Sequence, residues 1–246
     1  MIYQMLLAIS GSGTFTKEGA GKLTLTGTNS LSGATSVAAG RLVVDGALSQ
    51  SAVTVQSGAT LGGSGTVSAL TVASGGTLAV GNSPGQMNVT GNTVWSGGGS
   101  YDWEINNFLG SAGSNWDFLN IGGELTIQAS INNKFVIDVL SLLADNGVGP
   151  ATNFDAFTNY SFAIATAAGG IKDFNSSYFD IVISGFANSM NPSGALSAGS
   201  WGISQSGNNV MLSYTAATAT AIPEPSSTSL IVIGLGAMAL GRRFRR

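Results

Sequence analysis

Two 17-residue units lie back to back between Val53 and Gln86, VTVQSGATLGGSGTVSA and LTVASGGTLAVGNSPGQ. Thr54/Thr71, Val55/Val72, Ser57/Ser74, Gly58/Gly75, Thr60/Thr77 and Leu61/Leu78 are identical pairs between them. Each unit reads as a short strand, a Ser-Gly turn and a second short strand. So small a unit cannot bury its apolar face alone, and it gains a core only by stacking on a copy of itself. The same texture recurs in KLTLTG (22–27), RLVVDG (41–46), AVTVQSG (52–58), ALTVASG (69–75) and QMNVTG (86–91). Two apolar positions one residue apart are the strand signal, and the Gly that follows marks a turn. Asp45-Gly46 and Asn146-Gly147 leave hairpins open as a competing reading. The near-equal unit length, with Thr and Val recurring in register, favours rungs. The expected fold is all-β, a right-handed parallel β-helix.

Composition agrees with a stacked scaffold. Charged residues make up 9% of the chain, against roughly 25% in ordinary soluble domains, and there are 36 Gly. Four of the nine basic residues crowd into the last five positions. Residues 1–221 hold five basic and eleven acidic residues, a balance of −6. Such a body is a poor partner for phosphate backbones, so nucleic acid is not expected as a ligand. There is no Cys and no His. That removes disulfides, thiolate nucleophiles and every His-dependent catalytic or zinc-binding arrangement.

The texture changes near Trp95. Eighteen of the 20 aromatic residues lie from there onward, and only Tyr3 and Phe15 precede it. Longer strand candidates follow, among them YDWEIN (101–106), KFVIDVLSL (134–142), YSFAIATA (160–167) and NVMLSYT (209–215). Five segments result. Residues 1–10 are a short apolar stretch without Lys or Arg or a cleavage site, which does not qualify as a signal peptide. Residues 11–94 are the repeat region, and 95–214 form an aromatic-rich β region that either caps the solenoid or continues it with thicker rungs. Residues 215–221 are a small-residue linker, and 222–246 a distinct tail.

Candidate chemistry is sparse. Asp102 and Glu104 lie two apart, so on a strand they share one face while Tyr101, Trp103 and Ile105 take the other. Paired carboxylates beside aromatics are what a glycosidase uses; the plainer reading is an amphipathic strand with acids toward water. Trp95, Trp103, Trp116 and Trp201 could form a sugar-stacking platform or pack the core. No catalytic, cofactor or metal residue is assigned. The tail is more specific. Ser229–Leu240 is 12 uncharged residues, about 18 Å as a helix against a hydrocarbon core of roughly 30 Å. Arg242, Arg243, Arg245 and Arg246 follow at once, a basic cluster expected on the cytoplasmic side. A C-terminal hydrophobic, membrane-inserting helix is therefore expected.

Pro223-Glu224-Pro225, the apolar segment and the Arg cluster, in that order, resemble the PEP-CTERM protein-sorting signal. The resemblance implies recognition by an exosortase-type membrane transpeptidase, with Pro223, Glu224 and Pro225 read by that enzyme and the apolar segment acting as a transient anchor. Residues of about 11–92 resemble the autotransporter-associated β-strand repeat. The residues that carry it are GSGTFTKEGAGKLTLTGTNSLSGATSVAAGRLVVDG (11–46), SGATLGGSGTV (57–67) and LAVGNSPG (78–85). It implies a β-helical fold and says nothing of secretion route. The combined expectation is an exported, membrane-anchored, then surface- or matrix-associated structural or adhesive protein without enzymatic activity. Its expected partners are the exosortase, the membrane and extracellular polysaccharide. A carbohydrate-binding protein and a polysaccharide-degrading enzyme are the alternatives.

Overall fold

The computed structural model describes residues 2–5, 8–190 and 198–218. They form an all-β, β-helix-like molecule made of two long sheets and one short pair. The first sheet has eight parallel strands in chain order of rungs: Ile2–Met5, Lys22–Leu25, Gly40–Val44, Ala59–Gly63, Thr77–Val80, Ser100–Ile105, Phe135–Ser141 and Phe179–Val182. The second sheet carries the return strands, including Thr35–Val37, Ala47–Val55, Thr66–Val72, Thr93–Ser96 and Leu125–Gln128. Each rung leaves the first sheet, turns a corner, crosses the second sheet, and turns back.

The register is the one the repeats require. Thr54 stands against Thr71 and Val55 against Val72 in the second sheet. Thr60 stands against Thr77 and Leu61 against Leu78 in the first. A shift of one residue would turn every apolar side chain outward, so a buried face fixes the register. Inward positions consequently stack like on like. Leu23, Leu42, Leu61 and Leu78 form one column, which Tyr101, Ile137 and Ile181 continue. Val37, Val55 and Val72 form a second, continued by Trp95 and Ile127. From Leu42 to Ile137 in the first column, and from Val37 to Trp95 in the second, these side chains are fully buried, and burial stabilises by about 1.5–3 kcal/mol per large aliphatic side chain. Outward positions stack Ser36, Thr54 and Thr71, β-branched or hydroxylated residues that suit a pleated surface.

The corner after Val55 shows why Gly recurs. Gly58, Gly75 and Gly98 all adopt positive φ, between 75° and 78°. The amide of Gly58 donates to the carbonyl of Gly75, and that of Gly75 to Gly98. The turn is copied from rung to rung. Asp45-Gly46, one of the two hairpin signals, sits instead at a rung corner between parallel strands, where the amides of both residues donate to the Leu25 carbonyl. Asn146-Gly147 does make a tight turn, with Asn146 at positive φ and Leu143 bridged to Gly147.

Both sheets cross the composition change at Trp95 without a break. Beyond it the rungs lengthen: Thr60 to Thr77 is 17 residues, Ser100 to Val136 is 36, and Val136 to Asp180 is 44. The added residues go mostly into loops at the corner that leads from the first sheet to the second. Aromatic rings fill the widening core, with Trp95 stacked on Phe135 at 4.8 Å and Trp103 tilted against Phe162 at 5.4 Å. The second sheet then ends in an antiparallel hairpin, Ser200–Ser206 and Asn209–Thr215, whose second strand pairs with Tyr160–Ala167. The start of the 215–221 linker is docked on the body, since Ala217 donates to the Ala156 carbonyl and Ala216 to Asn159. The expected C-terminal helix, the Pro223-Glu224-Pro225 motif and the Arg cluster lie outside the described residues. Among the described residues no helix is long and apolar enough to cross a membrane.

Candidate functional site: an outer carboxylate row and a corner of loops

Strand Ser100–Ile105 alternates as its sequence requires, with Tyr101, Trp103 and Ile105 in the core and Ser100, Asp102 and Glu104 facing out. The neighbouring rung places Asp138 directly beside Asp102. Like charges facing each other across strands destabilise the sheet. Burial and then the charges of Asp138 and Glu104 push the Asp102 carboxyl up to about 6, with Arg41 opposing. Arg41 reaches this row because position 62 is Gly: a Cβ there would come within 2.8 Å of its guanidinium. Burial also raises Glu104, against the opposing effects of the Ser83 hydroxyl and Arg41. It raises Asp138 as well, whose Oδ1 is buried without a hydrogen-bond partner.

Asp117 is the fully buried member of this group, and the pairing of acids read from Asp102 and Glu104 alone missed it. Its carboxylate accepts from the Gly85 amide at 2.8 Å and the Glu104 amide at 3.1 Å, and its carbonyl accepts from the Trp103 indole at 2.8 Å. Burial and the charge of Glu104 hold its carboxyl well above the usual range, although both amides favour the ionised form. No isolated motif marks Asp117; the signal is an acid between Trp116 and Phe118, where a solvated residue would be out of place. Chemically, Asp102 keeps a proton to about pH 6 and can serve as a general acid, while the neighbouring Glu104, Asp117 and Asp138 are raised in the same direction and none is set apart as an ionised base. No group of three or more His, Cys, Asp or Glu placed to hold a metal ion occurs among the described residues.

The four Trp residues do not form a surface platform. Trp95 and Trp103 are fully buried. Trp116 and Trp201 pack half-buried on Phe162 and Phe186, with the Trp116 indole donating to the Ala163 carbonyl. Ring stacking on sugar from these positions is therefore replaced by core packing, because the lengthened rungs must fill a wider interior.

The corner loops form the other distinctive surface. They are stiffened by side-chain amides: Asn106 bridges Asn115 and Asn146, Asn153 donates to Asn107, and Asn188 both accepts from and donates to the Ala151 backbone. A cavity of about 480 Å³ opens between them, lined by Pro150, Phe154, Asp155, Ala156, Ala187, Asn188 and Ser189.

Residues 15–44 match the passenger-associated-transport-repeat model. In the fold that segment runs from strand Phe15–Lys17 to strand Gly40–Val44 and so covers the turn of one rung into the next. Residues 221–246 match the PEP-CTERM protein-sorting motif. No curated protein matches the chain. The chain thus joins a passenger-associated transport repeat, folded as stacked parallel strands, to a PEP-CTERM sorting motif, which implies an exported protein sorted by an exosortase-type membrane enzyme.

Proposed function

We propose that the protein is a non-enzymatic structural or adhesive solenoid of the cell surface or extracellular matrix. Its apolar tail anchors it in the membrane until it is processed near Pro223-Glu224-Pro225. The observation that carries this reading is the outward row of the second sheet. Ser36, Thr54, Thr71, Val94 and Thr126 succeed one another in register, giving a long surface of small, mostly hydroxylated side chains with few charges. Such a surface offers many weak, repeated contacts and no focused chemistry. The crossovers are taken as right-handed, the hand that parallel connections adopt in almost every sheet. Residues 95–214 are taken as the thicker, closing end of the rod. Deleting residues 222–246 tests the delivery step: the truncated protein is expected to lose surface retention, and unchanged localisation would overturn it.

A second reading, action on polysaccharide, rests on Asp102 and Asp138 facing each other in one outer row, with Glu104 and Arg41 beside them. It predicts turnover of a neutral or acidic polysaccharide that Asp102→Asn abolishes. Equal and undetectable turnover in both proteins returns the assignment to the scaffold.

A further inference from the structure

The exposed apolar side chains are not scattered. Seven large ones are solvent-exposed among the described residues, and five belong to the loops at a single corner: Leu109 (72% exposed), Val148 (88%), Phe157 (46%), Leu143 (39%) and Ile183 (36%). They come from three successive rungs, after strands Ser100–Ile105, Phe135–Ser141 and Phe179–Val182. A grouped set of bulky apolar residues on a soluble surface marks a place of contact. Asn106 and Asn107 of the first loop bond Asn146 and Asn153 of the second, and Asn188 of the third bonds the Ala151 backbone of the second, so the three loops are tied into one framework. The exposed acids of these loops are Asp145 and Asp155, Asp117 being buried, and there is no Lys or Arg between 106 and 190 except Lys134 and Lys172, which are paired with Asp180 and Glu124.

The chain leaves the described body at this same corner. Ala217 is bonded to Ala156, which lines the cavity between the loops. From Thr218 to the apolar segment at Ser229 is 11 residues, a reach of at most about 40 Å when fully extended. With the Arg cluster on the cytoplasmic side, the body stands on the outer side of the bilayer. The tether holds the apolar corner at high effective concentration beside the lipid surface. This step rests on the anchored-tail reading above.

We propose that this corner is a membrane-contact face: Leu109, Leu143, Val148, Phe157 and Ile183 sit in the headgroup–acyl boundary of the bilayer that holds the tail. That orients the solenoid and presents the linker and Pro223-Glu224-Pro225 at the lipid surface. The contact is apolar. With two exposed acids and no free cation on the loops it requires no anionic lipid, and it resists salt.

The chain has no Cys, so single nitroxide labels report one site each. The full chain is reconstituted in phosphatidylcholine vesicles with labels introduced by Val148→Cys, Leu109→Cys, Gln56→Cys and Val232→Cys. Gln56 is exposed at the opposite corner. Accessibility to oxygen is compared with accessibility to a water-soluble nickel complex. The labels at 232, 148 and 109 are expected to favour oxygen several-fold over the label at 56, with 148 and 109 shallower than 232, unchanged at high salt. If 232 favours oxygen while 148 and 109 match 56, the contact face is wrong and the anchor stands. If 232 also behaves as water-exposed, the anchor and the contact face both fall. Strong spin–spin broadening at 148 or 109 would assign the corner to a second copy of the chain and overturn the lipid contact.

Discussion

At the scale of single residues, the carboxylate row shows how stacking perturbs ordinary side chains. Asp102 and Asp138 are 36 positions apart, and only the ladder brings them side by side. The folded-state carboxyl of Asp102 titrates near 6, above its ordinary value of 3.8. The folded protein therefore binds this proton more tightly than the unfolded chain does. The stabilisation is fully present below about pH 4 and is lost as pH rises through about 6. Asp102→Asn should consequently raise the melting temperature at pH 7 and flatten its dependence between pH 4 and 6, measured by calorimetric scans across that range. A variant with the parent's pH profile would show that another group sets it.

At the scale of elements, the rung corners decide which glycines are replaceable. Gly58 has positive φ with nothing within 4 Å of an added Cβ, so Gly58→Ala meets only backbone strain, about 1–2 kcal/mol. Gly46 has no such φ, yet a Cβ there would run into the carbonyl of Gly27 in the adjacent rung. Backbone cannot move aside as a side chain can, so Gly46→Ala should destabilise more than Gly58→Ala in urea unfolding. The opposite order would mean that the corner spacing relaxes. The 17-residue identity was enough to anticipate register here: Thr54, Val55, Thr60 and Leu61 each face their own copy. Turn type was less legible. Asp45-Gly46 carries a hairpin dipeptide, but the buried Leu and Val columns on either side hold the strands parallel, and tertiary burial overrides a local preference.

At the scale of the whole molecule, stability is distributed along one axis. Each rung touches its neighbours only, so local damage should open the nearest end first. Tyr214 closes that end: it is buried, donates to the Ala156 carbonyl, and packs on Phe154, Tyr160 and Trp201. Tyr214→Ala should cost about 3–5 kcal/mol. It should raise amide exchange most in residues 160–215 while leaving 40–80 protected, as read by hydrogen exchange with mass spectrometry. Uniform loss of protection along the chain would show that the rod unfolds as a single unit.

The period, the inward and outward faces and the sorting tail are all legible in short-range pattern: alternation, repeated Gly, and an apolar run ended by Arg. Alternation alone placed Asp102 and Glu104 outside and Trp103 inside. Which distant residues meet follows from the stacking alone. The packing of all four Trp against other rings, two fully buried and two half-buried, follows from rungs that lengthen while the core must stay filled. The proximity of Asp138, the buried Asp117 and the gathering of Leu109, Val148 and Phe157 at one corner follow from stacking, which joins residues tens of positions apart and leaves no mark in local sequence.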